Sequence, residues 1–122
     1  MTTPPTRIRT SLEAARTRAG VLFAATGTDP DSQPGKSAHG VLAALLYAAA
    51  LHGAGPGQAM AWAALGELEV PARVLAEHRD RQDARAAAAA LVLTQHAEPA
   101  HYAAVMAHVR AALLHTTKEH TP

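Results

Sequence analysis

The chain contains no cysteine, which excludes disulfides, thiolate chemistry and every cysteine-ligated metal site. Aromatic residues are almost as scarce, one Trp, one Phe and two Tyr in 122 residues. Aromatic and β-branched side chains are the ones that build strands, so their shortage argues against a sheet. Neither sign of charge is in excess: eleven basic and ten acidic residues leave a formal charge of +1. No strong net field therefore points to nucleic acid, an anionic membrane or an acidic substrate. Long apolar runs are also missing. The stretch 41–51 is the most apolar, and its length suits a buried core helix rather than a membrane span. Residues 1–9 carry Pro4 and Pro5 with no apolar run behind them, so a secretory signal is not expected and the chain is expected to be soluble and intracellular.

What is abundant is alanine. The sequence is 48% hydrophobic, but 31 alanines against 13 leucines supply much of that fraction. Alanine is the best helix former because it loses no rotamer freedom, and its small side chain lets helices approach closely. A chain of this size makes one small domain, and the expectation is an all-α fold.

Six helices are predicted. Residues 1–9 read as a disordered lead-in, followed by the capping-box pattern Thr10-Ser11-Leu12-Glu13. The first helix covers 11–25, with Leu12, Ala15, Ala19, Leu22 and Phe23 stepping by three and four. Residues 26–35 combine glycine, two prolines and two aspartates and read as an exposed loop. Ser37 is the expected cap of a second helix over 38–52, apolar nearly all round and so expected to be central, with Gly53 ending it. Pro56 opens a third helix carrying Met60, Trp62 and Leu65, which Gly66 stops. A fourth spans 71–78 with Val74 and Leu75 inward, and a fifth spans 81–96 after Asp80 as cap. Pro99 starts a sixth that runs to about His115, burying Tyr102, Val105, Met106, Val109, Leu113 and Leu114. The domain is expected over 10–116, with a frayed tail at 117–122. Short helices joined by short turns predict a compact orthogonal bundle of about six short helices.

Several clusters invite a chemical reading. Pro34-Gly35-Lys36-Ser37 is similar to the end of a phosphate-binding loop, but the first glycine of that pattern would fall at Pro30 and no strand precedes it. A helix cap is the expectation there. His101, His108 and His115 recur every seven residues, about 10 Å apart along a helix axis, too far to share one metal ion. Solvent-facing or boundary histidines are expected. The run Glu77-His78-Arg79-Asp80-Arg81, with Asp83 and Arg85, sits at a helix junction, where capping and surface ion pairing explain it without catalysis. Arg73, Arg79, Arg81 and Arg85 form a candidate edge for contacting DNA phosphates or a protein partner. Trp62 is expected to anchor the core, since a large ring fills space among alanines.

The order of elements carries a resemblance. The segment Ser11-Leu12-Glu13-Ala14-Ala15-Arg16-Thr17-Arg18-Ala19, a polar loop, then Gly40-Val41-Leu42-Ala43-Ala44-Leu45-Leu46-Tyr47-Ala48-Ala49-Ala50-Leu51 resembles the all-α domain of conjugative coupling ATPases of the TraG/TraD type, especially actinobacterial ones. Trp62, then Pro71-Ala72-Arg73-Val74-Leu75-Ala76-Glu77-His78, an alanine-rich helix and a closing helix ending near Leu113 are similar to the same domain, so the resemblance covers roughly 9–115. Members often carry an aromatic pair before the second helix, where this chain has Lys36-Ser37. The family's ATP-site residues have no counterparts in this sequence, and none is carried over.

The resemblance implies a cytosolic, non-enzymatic helical lobe that helps recognise the transferred DNA, its relaxase and accessory proteins, or a secreted substrate protein, beside a membrane-anchored hexameric motor. No catalytic residue, cofactor, metal or small-molecule substrate is expected. The alternative is an unrelated helical adaptor or regulator that dimerises through the alanine-rich fifth helix, which requires a contiguous apolar patch there. A small helical enzyme would need a pocket gathering His78, Asp80 and nearby arginines.

Overall fold

The computed structural model describes residues 12–27, 32–53, 56–66, 68–78 and 82–119. They form an all-α bundle of six helices: α1 Leu12–Thr26, α2 Gln33–Leu51, α3 Pro56–Leu65, α4 Glu69–Ala76, α5 Gln82–Gln95 and α6 Pro99–Glu119. The lead-in at 1–9, and with it Thr10 of the expected capping box, lies outside the described residues. Among the described residues no helix is long and apolar enough to cross a membrane.

The centre is α2, which packs against each of the other five helices. Its sequence explains this position. Ala38, Val41, Leu42, Ala43, Ala44, Leu45, Tyr47, Ala48 and Ala49 are all buried, so the apolar surface continues nearly around the helix and needs neighbours on every side. Alanine at five of those nine positions allows neighbouring backbones to come close. Around α2, α1 lies against α6 as well, α3 against α6, and α4 against α5.

The start of α2 corrects the expected loop at 26–35 and the expected cap at Ser37. The helix begins at Gln33, and its cap is Ser32, whose Oγ accepts a 3.0 Å hydrogen bond from the Gly35 amide. Pro34 fits in the first turn because the amide it lacks would have no partner inside the helix. Lys36 and Ser37 are therefore helical, and Gly35 is buried. At the other end the expected stop is present, with Gly53 at φ +80° and its amide bonded to the Ala50 carbonyl at 3.1 Å.

The other boundaries shift by a residue or two, except at the chain's end. In α1 the expected stripe Leu12, Ala15, Ala19, Leu22 and Phe23 is the buried one. Helix α4 begins two residues before Pro71, which falls in its first turn, where a missing amide again costs nothing. Its Pro71, Val74 and Leu75 are buried. Helix α6 continues past His115 to Glu119. The expected burial of Leu114 does not form, since 57% of its surface is exposed on α6, and Leu65 closes α3 at 79% exposure. Trp62 takes the anchoring role, 5% exposed within the core.

Candidate functional site

The candidate edge is built on the α4–α5 hairpin. These two helices pack against each other, with Val74 and Leu75 of α4 and Ala84, Ala87, Leu91 and Thr94 of α5 buried and the charged residues outside. Arg73 is exposed, and its guanidinium lies 3.7 Å from Glu69 Oε2, one turn earlier on the same helix. Both side chains are 67% exposed, so solvent screens the pair and it adds a few tenths of a kcal/mol at most, about the size of an ordinary i,i+4 pair. Arg85 is exposed in the first turns of α5. Arg79 and Arg81 lie outside the described residues, as does Asp80 with its expected capping role.

Charge along this edge is balanced. Between 69 and 85 the sequence sets the four arginines against four carboxylates, Glu69, Glu77, Asp80 and Asp83. Beside them the hairpin exposes apolar surface: Val70 on α4 at 38%, and Val92 and Leu93 on α5 at 44% and 73%. Ala86 and Ala89 are exposed on α5 too. Among the described residues the hairpin thus exposes arginine, carboxylate and aliphatic side chains together.

The other singled-out clusters resolve as follows. Of the junction run, Glu77, Asp83 and Arg85 are exposed and His78 is half-buried. In the histidine stripe, His101 Nε2 lies 3.2 Å from Ser37 Oγ on α2, His108 is half-buried, and the side chain of His115 lies outside the described residues. Among the described residues no group of three or more His, Asp or Glu side chains could hold a metal ion.

Sequence reasoning missed the best-built polar contacts. Two side chains of α6 close the C-terminal end of α3: Arg110 Nε donates to the Ala63 carbonyl at 2.8 Å and the Tyr102 hydroxyl donates to the Gly66 carbonyl at 2.9 Å. A lone arginine inside an apolar helix was the available signal, since a helix C-terminus offers unpaired carbonyls and a negative dipole end. His39 makes a comparable link, its Nε2 lying 3.1 Å from the Arg16 carbonyl of α1. Comparison with protein-family models, with curated protein sequences and with solved structures finds no match for this chain.

Proposed function

We propose that this protein is a non-enzymatic helical recognition domain, a counterpart of the all-α lobe of conjugative coupling ATPases in type IV secretion, acting through its α4–α5 hairpin. Its partner is a relaxosome component or a transferred substrate protein, and the transferred DNA is a further contact. The protein acts on the cytoplasmic side, brought to the inner face of the membrane by that partner.

The reading rests on the sequence resemblance and on one observation, the composition of the hairpin face. A polyanion is attracted by net positive charge, and its binding strengthens with the number of phosphates neutralised. Four arginines offset by four carboxylates supply no such field. Arginine forks among carboxylates, flanked by exposed Val70, Val92 and Leu93, suit a protein surface that offers complementary charges around an apolar centre. The test is binding of the relaxase from the same conjugative element to the wild-type chain and to a variant with Arg73, Arg79, Arg81 and Arg85 all replaced by alanine. The reading expects saturable binding that weakens at least about tenfold in the variant. Equal affinity for both removes the hairpin as the contact.

A second reading is favoured by a separate observation. Ala86, Ala89, Val92 and Leu93 make an exposed apolar stripe on α5, the feature a homodimerising adaptor requires. Sedimentation equilibrium separates the two: a monomer supports the recognition lobe, and a dimer that Leu93→Glu dissociates supports the adaptor.

A further inference from the structure

Between the first two turns of α2 and the last turns of α5 lies an open pocket of about 210 Å³, lined by Lys36, Ser37, Gly40, Ala90, Leu93 and Thr94. It is smaller than the roughly 300–1,000 Å³ of drug-sized sites, and none of its lining residues is acidic. Thr94 is the one buried polar side chain among the described residues, at 6% exposure. Its hydroxyl makes no hydrogen bond to a described residue, yet no enclosed side-chain oxygen or nitrogen among them lacks a partner. Thr94 is one of the residues that line this pocket. Across from it, His101 Nε2 at 3.2 Å fixes the Ser37 hydroxyl in the wall. Lys36 stands exposed at the rim with the only charge of the lining. Gly40 adds no side chain to the wall, and a Cβ there would meet the Ala90 methyl at 4.0 Å.

We infer that this pocket binds a small monocarboxylate with a short apolar body. One ammonium and two hydroxyls are donors suited to a carboxylate, which accepts hydrogen bonds and donates none. A single cation balances a monoanion and leaves a phosphate dianion under-neutralised. Gly40, Ala90 and Leu93 supply an apolar wall, which inorganic anions cannot use and a short carbon chain can. Lys36 and Ser37 thus contribute to a ligand site from the first turns of α2, not through a loop cradling phosphates. The pocket lining includes none of the hairpin arginines and shares Leu93 with the face proposed above, so replacing those arginines separates the two.

The experiment is a titration of the isotope-labelled full chain with butyrate, followed by amide chemical shifts, with 1-butanol and inorganic phosphate as controls. Saturable shifts are expected at Gly40, Ala90 and Thr94, with a dissociation constant of order 1 mM. Butanol, which lacks the charge, and phosphate, which lacks the carbon body, are expected to bind at least about tenfold more weakly. Lys36→Gln, at an exposed position, should weaken butyrate about tenfold with unchanged helicity. Thr94→Val should weaken it about tenfold or more, the loss expected for one hydrogen bond to a charged acceptor. The alanine replacement of the four hairpin arginines should leave butyrate binding unchanged. Absence of saturable shifts with butyrate overturns the inference, as does phosphate binding as tightly as butyrate or wild-type affinity in Lys36→Gln.

Discussion

Arg110, in the middle of α6, donates a 2.8 Å hydrogen bond from Nε to the carbonyl of Ala63 at the end of α3. The Ala63 carbonyl also accepts from the Gly66 amide at 3.1 Å, so the guanidinium adds a second, charged donor at the negative end of the helix dipole. Tyr102, two turns earlier on α6, bonds the Gly66 carbonyl just beyond it. A ten-residue helix, too short to be stable alone, is thus held at its end by two side chains from one neighbour. Arg110→Met is expected to cost about 1.5–3 kcal/mol, the range for a hydrogen bond to a charged group, and Tyr102→Phe about 0.5–1.5 kcal/mol. Urea unfolding of the single and double variants checks both values. Because both residues serve the same helix end, the double variant should lose less than the two single losses added together.

Two glycines should respond to alanine with opposite signs. Gly66 sits at φ +68°, and an added Cβ would stand 3.4 Å from the Tyr102 hydroxyl. Gly66→Ala should therefore destabilise by about 1–2 kcal/mol, the cost of forcing a side chain into the left-handed region. Gly40 lies inside α2, where a Cβ meets the Ala90 methyl at an ordinary 4.0 Å. Gly40→Ala should stabilise by about 0.5–1 kcal/mol through the lower backbone entropy of the unfolded chain. Thermal melts of the two variants read the signs directly.

Trp62 is 5% exposed, and its ring lies 6.4 Å from that of His52 at the end of α2. Trp62→Ala should cost about 3–5 kcal/mol, the loss for truncating a buried large aromatic. Chemical denaturation followed by circular dichroism measures it, and a neutral outcome would place the ring outside the core.

The balanced hairpin makes a prediction for DNA. Fluorescence anisotropy with labelled single- and double-stranded DNA should show weak binding with a shallow dependence on salt, because few phosphates are neutralised. Replacing Arg73, Arg79, Arg81 and Arg85 by alanine should flatten that slope further. Tight, steeply salt-dependent binding that the same variant abolishes would instead make DNA the principal partner.

The helices were legible because their signals are local. Alanine content, the three-and-four spacing in α1, and Pro56 and Pro99 at helix starts all act within a few residues, and α2's apolar circumference placed it at the centre. The start of α2 was misread because Pro34 and Gly35 look like loop residues, whereas a first turn tolerates both once Ser32 caps it. The exposure of Leu65 and Leu114 depends on which helices pass beside them, and periodicity within one helix does not carry that information. The same holds for the pocket: Lys36 and Thr94 are 58 positions apart in sequence, and only the packing of α2 on α5 brings them together. Arg73, Arg79, Arg81 and Arg85 stand close together in the sequence, while the packing of α4 on α5 and the exposure of Val70, Val92 and Leu93 emerge from the fold.

The most direct test of the proposed recognition role is amide chemical-shift mapping of the full chain as the relaxase proposed as its partner is added. The account predicts perturbations concentrated at Val70, Arg73, Arg85, Val92 and Leu93. Perturbations confined to α1 and α3, or a spectrum unchanged at saturating relaxase, would contradict it.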